Sequence, residues 1–492
     1  MQRNNSHSLL GCRNPFRPAR HVPLAGRSIR PWGSSFAANT GSGSHLRHVY
    51  LELLGLLSLQ PFALSASHSP FLTPIPMGRL LLSLPSHRVR SLHHARNRVA
   101  IVFFIGALIF HQHMYLVSRQ SLSAKYTATN FNSRAGDLRA RFPPEDGSRF
   151  QAELLANRQD WEVLGEGFEG KVFAYQDSVI KTFTPGQSPF RNCAPSTYPT
   201  AKWPTEIPAQ LRFGGSSLTK VRGSGHVEDA KIDFKGFLPL KAHFMASNSP
   251  GSPAEWHLVT PLLKGGTLTS LAKKLSTEPQ TKSYREIDAL YRPAFNRLLV
   301  NMAAFHDAGY CHDDIKPSNI FIKDDSQWVM GDLGNVRELS HPFHSSRIWT
   351  DNKQLADCRA NDVVRVLRSY LKFIQSSLPD PEPFNTALFQ AAEPTSKLLW
   401  WTLADAPNMS AQELRQRSFF EYPEAAPAPD TDERFPPPVP PRRSLFTLFS
   451  SERSVLGGAA DAALRTSMNE LSARLWAWVG LFGVPEGEIC EA

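Results

Sequence analysis

Between Gly309 and Gly334 the chain reads GYCHDDIKPSNIFIKDDSQWVMGDLG, and no other stretch restricts its possible folds so tightly. It contains HxDxKxxN, as His312, Asp314, Lys316 and Asn319, and Asp332 follows thirteen residues after Asn319. Asn319 to Lys323 and Gln327 to Met330 alternate as two short strands around an Asp324-Asp325 turn. Such a hairpin returns Asn319 and Asp332 to the same end. Two oxygen donors there suit Mg²⁺, a hard cation that takes one or two protein oxygens and fills its shell with phosphate and water. Asp314 is placed to accept a proton from an incoming hydroxyl, and Lys316 to meet a transferred phosphoryl group. Chemistry of this kind rests on positioning and charge neutralisation.

Upstream, Trp161 to Phe183 reads WEVLGEGFEGKVFAYQDSVIKTF. Gly165, Gly167 and Gly170 form GxGxxG, followed by Val172. Alone the motif is weak, because a dinucleotide-binding turn has the same glycines, but that turn runs into a helix. Here the residues that follow predict a strand, a tight turn at Gln-Asp-Ser and a second strand over Val179–Phe183. Glycines between antiparallel strands let the backbone approach phosphates closely. Lys181, on the next strand, then reaches the α- and β-phosphates as a point charge.

Taken together, residues 158–420 resemble a eukaryotic-type protein kinase domain. The resemblance covers just over half the chain and implies an α+β, two-lobed fold. A small antiparallel β lobe would span 155–263 and a mainly helical lobe 264–420, with ATP and Mg²⁺ between them. It implies that Asp314 is the catalytic base, with Lys316 and Lys181 beside it, and that Asn319 and Asp332 are the metal ligands. Gly165, Gly167, Gly170, Val172 and Lys181 would hold the nucleotide. In Glu255–Leu268, Thr260 would be the gatekeeper, with the Pro261 carbonyl and Leu263 amide facing adenine. Asp362 resembles a buried acid bracing the catalytic loop. Glu206 is chosen as the partner of Lys181, since Pro204 and Pro208 allow only a helix beginning near it.

The chain also departs from the family. Asp313 stands where an Arg usually precedes the catalytic Asp, so activation by loop phosphorylation is not expected. Leu333 replaces a Phe. No Ala-Pro-Glu occurs between Asp332 and Asp362, where the family builds its peptide-docking shelf, so the acceptor is open. A Ser/Thr-type protein kinase is the leading expectation. The alternatives are a small-molecule kinase, against which Asp313 and Lys316 argue, and a membrane-tethered pseudokinase scaffold.

The net charge of +10 suggests nucleic-acid binding until it is divided along the chain. Residues 1–98 hold 12 Arg, no Lys and one acid, Glu52, whereas the rest carries 42 basic and 43 acidic side chains. A basic face on the folded part is therefore excluded, and no nucleic-acid partner is expected. Residues 1–98 are expected to be disordered. They also carry the Arg- and Ser-rich, acid-poor character of a mitochondrial transit segment, and translation from Met77 is an open alternative. Five scattered Cys without ligand spacing predict no disulfide framework and no zinc site, which favours a reducing compartment.

Val99 to Phe110 (VAIVFFIGALIF) contributes roughly −3 to −5 kcal/mol towards insertion, and the span 99–117 is just long enough to cross a bilayer. A single-pass membrane location follows, with cytoplasmic or mitochondrial placement as alternatives. Residues 118–154 read as a linker. Residues 421–457 are Pro-rich and read as disordered, and Pro437 to Arg442 makes a PxxPxR pattern that fits an SH3-type partner as well as a spacer. Over 458–492, Leu464, Met468, Leu471, Leu475 and Val479 predict one amphipathic helix and a tail.

Overall fold

A computed structural model describes residues 86–131, 144–167, 169–184, 190–194, 202–214, 236–247, 251–280, 282–324, 326–390, 393–419 and 452–478. The expectations for residues 1–85, for 421–451 of the Pro-rich stretch and for the PxxPxR pattern at 437–442 lie outside the described residues, whereas 452–457, the end of that stretch, are helical rather than disordered.

The chain is α+β. Helix α1 (Ser86–Lys125) extends the apolar run at both ends, so residues 86–98 are helical rather than disordered, and the expected linker starts as helix. Good helix formers such as Arg, Leu, Ala and Lys flank the run without Pro or Gly, so nothing stops the helix there. Val99 to Phe110 stays exposed, but from Tyr115 onward one face is buried, through Tyr115, Ser118, Ser121 and Leu122. The Lys125 carbonyl at its C-terminus accepts from Arg191 at 3.0 Å and Arg337 at 3.3 Å, cations at the negative end of the helix dipole. Part of the remaining linker is helix α2 (Pro144–Ala156).

The small lobe holds β1 (Glu162–Gly167), β2 (Gly170–Tyr175), β3 (Ser178–Phe183), the ribbon β4 (Phe190–Cys193) with β5 (Lys202–Pro204), helix α3 (Glu206–Phe213), β6 (Ala242–Ser247) and β7 (Ala254–Pro261). Five strands form one antiparallel sheet in the order β1-β2-β3-β7-β6. Side chains alternate between its faces. Ile180 and Val259 pack with Leu154 of α2 and Trp161 on one face. Phe183, Trp256 and Leu258 pack with Ile207 and Leu211 of α3 on the other.

The helical lobe contains α4 (Leu268–Thr277), α5 (Tyr284–Asp307), β8 (Tyr310–Cys311), the hairpin β9 (Ile320–Asp324) and β10 (Gln327–Met330), β11 (Arg337–Glu338), α6 (Arg347–Asp351), α7 (Cys358–Ser376), α8 (Glu382–Gln390), α9 (Pro394–Ala404) and α10 (Ala411–Phe419). Helix α5 begins at a capping box in which Ser283 and Glu286 satisfy each other's backbone amides. Its apolar face, Phe295, Leu298, Leu299 and Met302, meets Val363, Val366, Leu367 and Tyr370 of α7 in the main core. This is the two-lobed, kinase-like arrangement expected.

Two further expectations fail. The C-terminal region is not one helix but α11 (Glu452–Ala463) and α12 (Leu471–Trp478), joined by a non-helical link over 465–470. Asn469 competes for backbone hydrogen bonds: its side chain accepts from the Leu471 amide at the start of α12. The cysteines, moreover, do cross-link: Cys311 and Cys358 form a disulfide between β8 and the start of α7, and Cys193 is also disulfide-bonded. Spacing could not reveal the first bridge, because tertiary packing brings together residues 47 positions apart.

Candidate active site

The glycine loop joins β1 to β2, with Gly167 paired opposite Gly170. Gly170 has φ +152°, and a Cβ there would lie 1.8 Å from the Thr182 carbonyl oxygen, so the fold itself requires this glycine. Gly165 and Gly167 have no atom within 4 Å of a notional Cβ. Packing does not require them; what they provide is open space above the sheet, where a phosphate chain can approach the backbone.

Val172 pairs with Lys181 across β2 and β3, and Lys181 with Leu258 across β3 and β7. The two-residue period turns Lys181 to the same face as Phe183, the face covered by α3. That helix begins at Glu206, as the prolines require: Pro208 falls in the first turn, where an amide has no intrahelical partner to lose. Lys181 Nζ lies 2.5 Å from Glu206 Oε2, 3.4 Å from Asp332 Oδ1 and 3.8 Å from Glu169 Oε2. Burial disfavours the ammonium, yet the three carboxylates outweigh it and raise the Lys181 pKa. The Lys181 charge in turn holds the Asp332 carboxyl below its usual range.

The loop carrying His312 to Asn319 hangs on Asp362 of α7, which is fully buried. Its carboxylate accepts from the amides of His312 at 2.6 Å and Asp313 at 3.1 Å. Asp314 Oδ2 accepts from Lys316 at 2.9 Å, and the Asp314 carbonyl from Asn319 Nδ2 at 3.0 Å. Burial opposes the Lys316 charge, but Asp314 outweighs that and its pKa is raised. The β9–β10 hairpin returns the chain so that the Gly331 amide donates to the Asn319 carbonyl at 2.9 Å. Asp332 follows in the left-handed region with φ +55°, and Asp313 has φ +62°. Non-glycine residues held there cost free energy and tend to cluster at functional sites.

These donors fit Mg²⁺ delivered with a nucleotide. The amide nitrogen of Asn319 is committed to Asp314, which leaves its oxygen, also reached by the Ser318 hydroxyl at 3.3 Å, as the donor atom, and Asp332 adds a carboxylate. Among the described residues no group of three or more His, Cys, Asp or Glu could hold a metal alone. A hard cation here would therefore complete its shell from phosphate and water. Thr260 is buried at the end of β7, opposite Val179, with Pro261 opposite Ser178. The Leu263 carbonyl accepts from Gly266 at 3.0 Å. All three lie at the crossing between lobes.

Sequence reasoning missed the surroundings of Asp313. Its buried carboxylate Oδ2 is 3.0 Å from Arg337 Nη1 and 2.9 Å from His344 Nε2, and Arg365 lies 3.8 Å from Oδ1. An acid, rather than the family's cation, thus grips the segment after Asp332, whose own side chains supply Arg337 and His344. Also unforeseen was a cavity of about 200 Å³ beside Asp314. Lys125 from α1 and Thr466 to Met468 and Glu470 from the C-terminal link wall it. No local pattern connects residues so far apart in the chain.

No family model matches this sequence. It is 37% identical over 83 residues to the serine/threonine-protein kinase PknL of Mycobacterium tuberculosis, covering 17% of this chain and 19% of that protein. It is 30% identical over 97 residues to the serine/threonine-protein kinase 16 of Rattus norvegicus, covering 20% of this chain and 30% of that protein. The chain thus spans between 19% and 30% of the length of these curated relatives. The partial likenesses support a kinase-like domain at that coarse level.

Proposed function

We propose that the chain is a protein kinase that transfers the γ-phosphate of ATP, with Mg²⁺, to a Ser or Thr hydroxyl. The observation that carries this is the convergence of Lys181, Glu206 and Asp332 beneath the glycine loop, with Asp314 held by Lys316 and Asn319 beside them. Lys181, kept charged by its carboxylate neighbours, would hold the α- and β-phosphates, with Val172, Thr260, Pro261 and Leu263 around the base. Asn319 and Asp332 would hold Mg²⁺, which when bound neutralises phosphate charge. Asp314 would take the hydroxyl proton, and Lys316, already bonded to it, would meet the phosphoryl oxygens. The test is γ-phosphate transfer by the purified full chain to a panel of Ser/Thr-containing proteins and small alcohols. Transfer to proteins is expected; transfer to alcohols alone would replace this reading with a small-molecule kinase, and none at all would leave a scaffold.

We further propose a single membrane anchor. Within Arg96–Lys125 an 18-residue window has mean hydropathy 1.8 and is only 6% buried. The Arg-rich side before it favours retention in the cytoplasm, and the Cys311–Cys358 bridge favours an oxidising compartment for the catalytic domain. On that side the exposed Asn408, in Asn408-Met409-Ser410, meets the glycosylation pattern. The expected result is a glycosidase-sensitive mass shift that Asn408→Gln abolishes. An unshifted protein whose Cys311 and Cys358 alkylate on denaturation without reductant would place the domain in the cytoplasm.

A further inference from the structure

We infer that the chain phosphorylates its own C-terminal link, at the hydroxyl pair Thr466 and Ser467, in an intramolecular reaction that rests on the transferase reading above. Thr466 and Ser467 line the same cavity of about 200 Å³ as Asp314 and Asn335. Neither hydroxyl has a hydrogen-bond partner among the described residues. Ser467 is exposed and Thr466 half-buried, so both are reachable.

The link is held as a docked peptide would be, through its backbone and through alternate side chains. Arg368 donates to the Arg465 carbonyl at 3.2 Å. The Asn352 side chain makes a paired contact with the backbone of residue 469, donating to its carbonyl at 3.0 Å and accepting from its amide at 2.6 Å. Met468 packs against the cluster of Phe343, Ile348 and Trp349 that follows the catalytic loop. Glu470 is clamped by Lys125 at 2.5 Å. The stretch after the hydroxyls is thus fixed mainly by the segment where the family's docking shelf is missing from the sequence, and the stretch before them by α7.

Such fixation removes the cost of bringing an acceptor to the base, an advantage that reaches about 10⁵ M or more in effective concentration for well-oriented groups. In the step, the hydroxyl oxygen forms a bond to the γ-phosphorus of ATP and its proton passes to the Asp314 carboxylate. The bond from the γ-phosphorus to the bridging oxygen breaks, and ADP leaves with that electron pair. The product is a phosphate monoester.

The test is peptide mapping by mass spectrometry of the full-length protein in detergent after incubation with Mg²⁺ and ATP. Phosphate is expected on 466 or 467, at a first-order rate unchanged over a hundredfold dilution, and absent from the double variant Thr466→Val, Ser467→Ala. An Asp332→Ala chain mixed with active protein should stay unmodified there. Transfer to external acceptors with 466 and 467 unmodified would overturn this inference alone. Modification of the Asp332→Ala chain as fast as of the active one would overturn its intramolecular character. Absence of transfer to any acceptor, the chain included, would remove the transferase reading and this inference with it.

Discussion

Asp314→Asn is expected to lower phosphoryl transfer by about 10²–10⁴-fold, the contribution of a positioned general base, while leaving ATP affinity largely intact. The separation follows from geometry. Asp314 is tied to Lys316 and Asn319, on the loop that Asp362 braces, whereas the proposed phosphate grip is the Lys181–Glu206–Asp332 set between the lobes. Asn keeps the shape and one oxygen acceptor at position 314 but cannot take a proton. Lys181→Met should instead damage both nucleotide binding and transfer, because it removes the cation and leaves Glu206, 8% exposed at its side chain, without its partner at 2.5 Å. Calorimetric ATP titration beside steady-state kinetics distinguishes the two. Retention of more than about 1% of activity in Asp314→Asn would be incompatible with the role assigned to it.

How far the site could be read from the sequence depended on how locally each part is determined. Asp314, Lys316, Asn319 and Asp332 lie in one loop and hairpin, where spacing alone fixes which side chains return to the same end. Lys181 followed from its place on the strand next to the glycine loop. Glu206 needed only the constraint that two prolines place on a helix start. The misses around Asp313 and the cysteines depend on long-range packing. Arg337 and His344 meet Asp313 across 24 and 31 residues, and Cys311 meets Cys358 across 47. The C-terminal link misled for another reason: Leu464, Met468, Leu471 and Leu475 do have helical spacing. Met468, however, turns to a hydrophobic cluster on another part of the chain, and the Asn352 contacts replace the helix hydrogen bonds there.

Asp313→Ala is expected to destabilise the folded protein by about 3–5 kcal/mol, the cost of stranding buried charges by removing one partner. Arg337 and Arg365 have 1% and 4% of their side-chain surface exposed, so neither can turn to water without opening the segment after Asp332. Replacing three of its members together, Asp313→Leu with Arg337→Met and His344→Leu, should cost less than the single change, since Arg337 is no longer stranded and the remaining Arg365 keeps Asp362 at 3.4 Å. Denaturant unfolding of the two variants checks this; equal losses would mean that Asp313 acts through shape rather than charge. The cluster also fixes a pH signature. Burial opposes the His344 imidazolium, but the Asp313 hydrogen bond and charge outweigh it, so its pKa is raised. Burial likewise opposes ionisation of Asp313, yet His344, Arg337 and Arg365 hold its pKa down. Nearby His341, pulled down to about 3 first by burial and then by Arg337, stays neutral and adds no compensating charge. A raised histidine contributes its full stability below its unfolded pKa of about 6.5 and loses it as pH climbs through the folded value. The lowered aspartate contributes above its unfolded pKa of about 3.9 and loses that only as pH falls towards its folded value. The stability advantage of the native chain over His344→Gln should therefore be largest from about pH 4 to 6.5 and shrink on the alkaline side. Melting temperatures of both proteins measured from pH 5 to 9 test this directly, and a gap that widens with rising pH would contradict a charged His344 bound to Asp313.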